Sequence, residues 1–182
     1  QAELSGNGTR QAFLYLRASG WADSNSLAIR TPAGIITAEL TGPDSATVEL
    51  GRATTASRQF PEGPADGRAE VEISGRVERF QFVSVGNPQC VFEVASPEQL
   101  DALDIGAIGP LIEHDSRFPG RTNVSWWAAI DGRKIRARIF ERGVGETASS
   151  GTGASGAAVA SVLAGGSSPV TVALDGGELL VE

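Results

Sequence analysis

The chain has 182 residues, of which 41% are hydrophobic and 20% charged, with a net charge of −7 and a single cysteine. That length holds one sizeable domain or two small ones, and the composition is that of an ordinary soluble globular protein. An acidic chain with no basic block has little to offer nucleic-acid phosphates, no apolar run reaches the ~18–20 residues that span a bilayer, and lone Cys90 excludes an intrachain disulfide framework.

No signal-peptide pattern is present, and one unpaired cysteine fits a reducing compartment, so a cytoplasmic protein is expected. The chain has no methionine, begins at Gln1 and stops at Glu182 straight after a strand-like run, and so reads as a piece of a longer protein. In chain order, residues 5–19 predict a helix with Ser5 near its N-cap and glycines in its first turn. Its middle, Ala12-Phe13-Leu14-Tyr15-Leu16, is apolar all round and predicts a buried helix. Short β-rich runs follow at 26–30, 35–40 and 47–50, separated by Thr31-Pro32-Ala33-Gly34 and Thr41-Gly42-Pro43-Asp44, both of turn composition. Residues 51–68 are polar and rich in Gly and Pro, the best candidate for a linker or domain boundary. They divide the chain into 1–50, part of an N-terminal half whose start is missing, and 51–182, a C-terminal half.

Strands are predicted again at 69–73, 79–85 and 90–94, the last two split by Gly86-Asn87-Pro88-Gln89. A short helix over 97–103 has a Ser96 cap and Pro97 at its first position; a second, over 105–114, is expected to break near Gly109-Pro110. Asp131-Gly132 joins strands at 123–130 and 134–140 as a hairpin. A small-residue helix from about Ala154 stops at Gly165-Gly166, and a last hairpin, 170–174 with 178–181, turns on Asp175-Gly176-Gly177.

The stretch from Glu141 to Leu163 is the chemical centre of this pattern. It joins the charged pair Glu141-Arg142 to a Gly-rich turn and then to a helix opening Ser150-Gly151-Thr152-Gly153. A helix start presents unpaired N–H groups and the positive end of its dipole, a ready site for an anion. Ser5-Gly6-Asn7-Gly8 repeats the device 145 positions earlier, a separation suited to a duplicated domain rather than a solenoid. Two halves facing each other would aim both helix starts into one interdomain cleft.

Competing motifs are weaker. Gly151-Thr152-Gly153-Ala154-Ser155-Gly156 imitates a dinucleotide fingerprint, but ten residues separate it from the strand ending at Phe140, whereas a Rossmann turn leaves its strand directly. No residues have zinc-ligand spacing, and His114, the only histidine, is most simply a helix-end side chain. Glu141-Arg142 alone would be a surface ion pair. Beside an anion-binding turn, Arg142 is read as a fork for a substrate carboxylate and Glu141 as the partner of an ammonium or a proton. Ser5 and Ser150 are N-caps by default, with no histidine close in sequence to activate them. Asn87 and Asn123 are either turn residues or hydrogen-bonding groups for a polar substrate.

The stretches AELSGNGTR (2–10), SVGNPQCVF (84–92), IGPLIEHDSRFPGRTNV (108–124) and ERGVGETASSGTGA (141–154) together resemble the diaminopimelate epimerase family, in letters, order and spacing. The resemblance implies an α/β (α+β) fold of two pseudo-symmetric halves, each a curled, mainly antiparallel sheet around a central helix. It implies cofactor-independent inversion of an amino-acid α-carbon in lysine and cell-wall precursor biosynthesis, with no metal. The partner is a small-molecule amino-acid substrate, by default diaminopimelate, with a homodimer left open. In the family one cysteine starts each central helix, one removing the α-proton and the other returning it on the opposite face. Carried over, Ser5 and Ser150 occupy those catalytic positions and Glu141 is a further acid–base candidate. Gly6, Asn7, Gly151 and Thr152 hold the α-carboxylate, while Asn87, Asn123, Glu141 and Arg142 read the remote amino and carboxyl groups.

Two departures fall on the chemistry: serine at both cysteine positions, and Gln89 where the family motif Gly-Asn-Pro-His has histidine. Cys90, beside it, is expected to pack in a strand. A thiol ionises near ~8.5, a serine hydroxyl is a far weaker acid, and each pKa unit costs about 1.4 kcal/mol. Three readings stay open: engineered Cys→Ser changes, a natural variant catalysing another isomerisation or elimination, or a protein that binds an amino acid without turning it over.

Overall fold

A computed structural model describes residues 5–31 and 34–182. The predicted turn at Pro32-Ala33 therefore lies outside the described residues, as do residues 1–4. The chain separates into two compact units, Gln1–Arg52 and Ala53–Glu182. No helix among the described residues is long and apolar enough to cross a membrane.

The described residues of the first unit form one helix, α1 (Gly6–Ala18), and three strands, β1 (Ser26–Thr31), β2 (Gly34–Gly42) and β3 (Ser45–Glu49), paired antiparallel in that order. Ser5 stands outside α1 with extended backbone, and its Oγ accepts from the Gly8 N–H at 3.1 Å. The expectation of a helix buried all round is corrected. Only Gly6, Thr9 and Phe13 are buried, and Tyr15 is 63% exposed. Those three positions form one stripe at helical spacing, and α1 packs it on a single sheet surface from β2 and β3, where Ile36 and Ala38 are buried.

The second unit is built on one sheet with the order β11-β10-β8-β7-β6-β5-β4, and a three-residue strand, β9 (Gly145–Thr147), paired to β8. Its strands are β4 (Arg68–Ile73), β5 (Arg76–Ser84), β6 (Pro88–Glu93), β7 (Asn123–Ala129), β8 (Lys134–Glu141), β10 (Val170–Leu174) and β11 (Gly177–Val181). All neighbours are antiparallel except β6 with β7 and β8 with β10. Parallel pairing needs a long crossover, and helices supply both. α2 (Pro97–Asp101) and α3 (Ile105–Glu113) link β6 to β7, and α4 (Gly151–Leu163) lies between β8 and β10.

Alternation along the central strands sorts the core. Cys90, Phe92, Val124, Trp126 and Phe140 pack with Leu100, Ile105 and Ile112 of α2 and α3. Val91, Trp127, Ile135, Ala137 and Ile139 pack with the alanines of α4. Both faces are therefore covered, which explains why β7 is buried at every position from Asn123 to Ala128. Residues 51–68 are not a free linker. Phe60, 4% exposed, lies with its ring 5.2 Å from Phe82, 5.0 Å from Phe118 and 5.8 Å from Phe80, while Thr54 and Ser84 exchange backbone hydrogen bonds.

Two helices differ from expectation. α3 runs unbroken through Pro110. An Asp104 cap bonded to the Ala107 N–H at 3.1 Å and the buried Ile105 and Ile112 hold it against the loss of one internal hydrogen bond. α4 begins at Gly151, directly after the Ser150 cap and ahead of the Ala154 start also expected. Its glycines are packing residues: a Cβ on Gly153 would lie 2.6 Å from Ile139 Cγ2, and one on Gly156 would lie 2.8 Å from Gln89 Cγ. Lacking those atoms, α4 settles close against β8 and β6.

Candidate active site

The site of the second unit grows from the start of α4. Ser150 has extended backbone and is 5% exposed, and its Oγ accepts from the Gly153 N–H at 3.2 Å. Gly151 and Thr152 supply the first amides of the helix, which have no intrahelical acceptor. With the dipole behind them they suit a carboxylate.

Beside this helix start runs a buried polar chain. Gln89 Nε2 donates to Asn87 Oδ1 at 2.7 Å, and Asn87 Nδ2 donates to Thr152 Oγ1 at 3.2 Å. Asn87 immediately precedes β6 and Gln89 is its second residue, where its side chain passes against Gly156. Gln89 thus supports Asn87 from behind. Asn123 opens β7, in register with Gln89. Its Nδ2 donates to the Pro88 carbonyl at 3.1 Å and its Oδ1 accepts from the Arg142 N–H at 2.9 Å, so it ties β6 to the turn that follows β8. Each amide retains a second N–H beyond these bonds.

Glu141 closes β8, and its Oε1 accepts from the Thr147 hydroxyl at 2.8 Å on β9. Arg142 Nη1 donates to the Gly120 carbonyl at 2.6 Å. The fold therefore brings Asn87 to Thr152, and Asn123 to Arg142, by direct hydrogen bonds, and sets Gly151 beside the Ser150 cap. Ser5, Gly6 and Asn7 stand at the start of α1 in the first unit. There Ser5 is exposed, Gly6 is buried and Asn7 Oδ1 accepts from Arg10, whose pKa burial lowers.

Thr147, Gly120 and Glu113 are participants that the sequence reading missed. Glu113 carried the clearest signal, a carboxylate directly after the apolar turn Pro110-Leu111-Ile112. Cys90 packs in the core on β6, and burial pushes its thiol well above the usual range, which makes it a poor nucleophile. His114 Nδ1 lies 3.0 Å from the Pro110 carbonyl at the end of α3. No cluster of three or more His, Cys, Asp or Glu side chains able to hold a metal occurs among the described residues.

A family model described as Diaminopimelate epimerase matches residues 81–182. The Desulfitobacterium hafniense protein named diaminopimelate epimerase is 38% identical over all of this chain and 66% of its own length. That of Moorella thermoacetica is 36% identical over all of this chain and 67% of its own length. The chain thus spans about two-thirds of the length of the curated relatives it matches. The fold is shared more widely. The crystal structure of a hydroxyproline epimerase from Agrobacterium vitis, 16% identical, matches with a TM-score of 0.60 over 98% of this chain and 63% of that one. The mixed α/β architecture, the family match over β5 to β11 and the full-chain identity to two curated relatives agree, and the chain belongs to the diaminopimelate epimerase family.

Proposed function

We propose that the protein is a cofactor-independent amino-acid isomerase whose default substrate is diaminopimelate, in lysine and cell-wall precursor biosynthesis. The observation that carries this reading is the buried relay from Gln89 through Asn87 to Thr152, which builds a polar wall onto the open first turn of α4. In the reading, Gly151 and Thr152 hold the α-carboxylate. Asn87, Asn123, Glu141 and Arg142 recognise the remote amino and carboxylate groups. Ser150 is the acid–base group of this unit, and Ser5, at the corresponding helix start of the first unit with Gly6 and Asn7, is its counterpart. Inversion needs only that one group remove the α-proton and another return a proton to the opposite face, so no oxidant or electron carrier enters.

With hydroxyls in place of thiols, that transfer is slow. Several pKa units separate serine from cysteine, at about 1.4 kcal/mol each. A specific observation favours a second reading, an amino-acid-binding protein that keeps the cradle. The Ser150 Oγ is engaged as the cap of Gly153, and the only histidine sits against Pro110. Incubation of the intact protein with LL-diaminopimelate in deuterated water separates the two. The isomerase reading expects α-proton exchange that rises sharply when Ser5→Cys and Ser150→Cys are combined. Measurable binding with no exchange in either form selects the binder.

A further inference from the structure

Glu113 is a buried charge to which the proposed reaction gives no role. It is the last residue of α3, and its side chain is only 5% exposed. The C-terminal end of a helix is the unfavourable end for a carboxylate, and burial adds a desolvation penalty. Two donors meet the same oxygen: Arg121 Nη1 at 2.8 Å and the Gly143 N–H at 2.8 Å.

Gly143 belongs to the turn that carries Glu141 and Arg142. Its φ of +76° lies in the left-handed region. The Val144 N–H closes the turn on the Glu141 carbonyl at 3.0 Å. Three features of this turn are then anchored by hydrogen bonds to residues 113–123. The Arg142 N–H is held by Asn123 at 2.9 Å, the Arg142 guanidinium by the Gly120 carbonyl at 2.6 Å, and the Gly143 N–H by Glu113. Thr122 joins the first and third anchors, since its N–H bonds the Glu113 carbonyl at 3.3 Å and Asn123 follows it in the chain. Arg121 balances the charge, so the carboxylate can be spent on a backbone amide rather than on a ligand.

We propose that Glu113 is a positioning residue: acting through the Gly143 N–H, it fixes the turn so that Glu141 and Arg142 meet the remote amino and carboxylate groups of the substrate. The proposal rests on the functional reading above. Glu113→Ala removes the anchor, whereas Glu113→Gln keeps a carbonyl acceptor for the amide and gives up only the charge.

The test uses the intact protein, calorimetric binding of LL-diaminopimelate and amide hydrogen exchange. Loss of a hydrogen bond to a charged group predicts a Kd raised roughly ten- to a hundredfold in Glu113→Ala. Exchange should quicken at Gly143 and Val144 and stay unchanged in α4, and Glu113→Gln should recover most of both effects. Unaltered binding, unaltered turn exchange, equal loss of protection throughout α4, or a Glu113→Gln variant as impaired as Glu113→Ala would each overturn the proposal. If the wild-type protein binds no LL-diaminopimelate, the functional reading fails and takes the positioning role with it. A binding wild type with an indifferent Glu113→Ala overturns the positioning role alone.

Discussion

Gly153→Ala is the smallest change that reports on how α4 is seated. The added methyl would lie 2.6 Å from Ile139 Cγ2, 3.1 Å from Ile139 Cδ1 and 3.1 Å from the Ser150 Oγ. Ile139 is fully buried and β-branched, so it has no free rotamer into which to withdraw. Overpacking of this kind costs about 1–3 kcal/mol. Alanine in place of glycine within a helix returns up to about 1 kcal/mol. At the middle of the overpacking range the expected net loss is about 1 kcal/mol, lowering Tm by about 2–4 °C per kcal/mol in a chain of this size. In an Ile139→Ala background the two contacts with Ile139 are gone, and only the 3.1 Å approach to the Ser150 Oγ stands against the propensity gain. There the same substitution becomes neutral or stabilising, a coupling of about 1–3 kcal/mol between the two sites. Urea unfolding followed by tryptophan fluorescence reads the cycle, because Trp126 and Trp127, 3% and 5% exposed, both sit in the second unit. Gly153→Ala as stable as wild type, or equally costly in both backgrounds, would refute the packing explanation of this glycine.

Phe60→Ala should cost about 3–5 kcal/mol, as large aromatic-to-alanine changes in cores do. It should also expose residues 53–67, so trypsin should cut after Arg58 faster than in wild type. The Asp115 carboxyl is held below its usual range chiefly by its side-chain hydrogen bonds from Arg117, whose Nε and Nη2 lie 2.8 Å from the two oxygens. A depressed carboxylate pKa stabilises the fold above its unfolded value of about 3.9, and that stabilisation is lost as pH falls through the folded value. Asp115→Asn should therefore be less stable than wild type near neutral pH, with the difference closing below about pH 4 in acid-unfolding curves.

Much of the architecture was legible because hydrophobic alternation and turn chemistry agreed with the final pairing. The hairpin at Asp131-Gly132, the Ser96 cap and the strand over 170–174 are local features, and local residues dictate them. What escaped depended on partners far away in sequence. Glycines lower intrinsic helix propensity, yet the need to clear Ile139 and Gln89 requires glycine at 153 and 156 of α4. Pro110 signalled a break that burial of Ile105 and Ile112 overrides. The apolar run of α1 suggests burial all round, but only β2 and β3 meet the helix and they cover a single stripe. β9 was too short, and too close to Gly143 and Gly145, to stand out. At the site, residue types and order pointed to Asn87, Asn123, Glu141 and Arg142. That the two asparagines bond to other parts of the protein, and that Glu113 holds the turn, are facts of three-dimensional pairing.

The two parallel pairings of the second unit bear on when the site comes into being during folding. β4 to β6 form a meander of near neighbours, β7 with β8 a hairpin, and β10 with β11 another. Among the named strands of this unit, the seams between β6 and β7 and between β8 and β10 join segments distant in sequence, and loop-closure entropy makes such pairings slow to form. Gln89 and Asn123 face each other across the first seam, and the Glu141 turn and Ser150 lie within the crossover that spans the second. A chain arrested with its hairpins made but its seams open would hold most of its local strand pairing, with the Asn123–Arg142 and Glu141–Thr147 bonds, but would lack the Asn123–Pro88 and Asn87–Thr152 links. Recovery of ligand binding should be among the last signals to return on refolding.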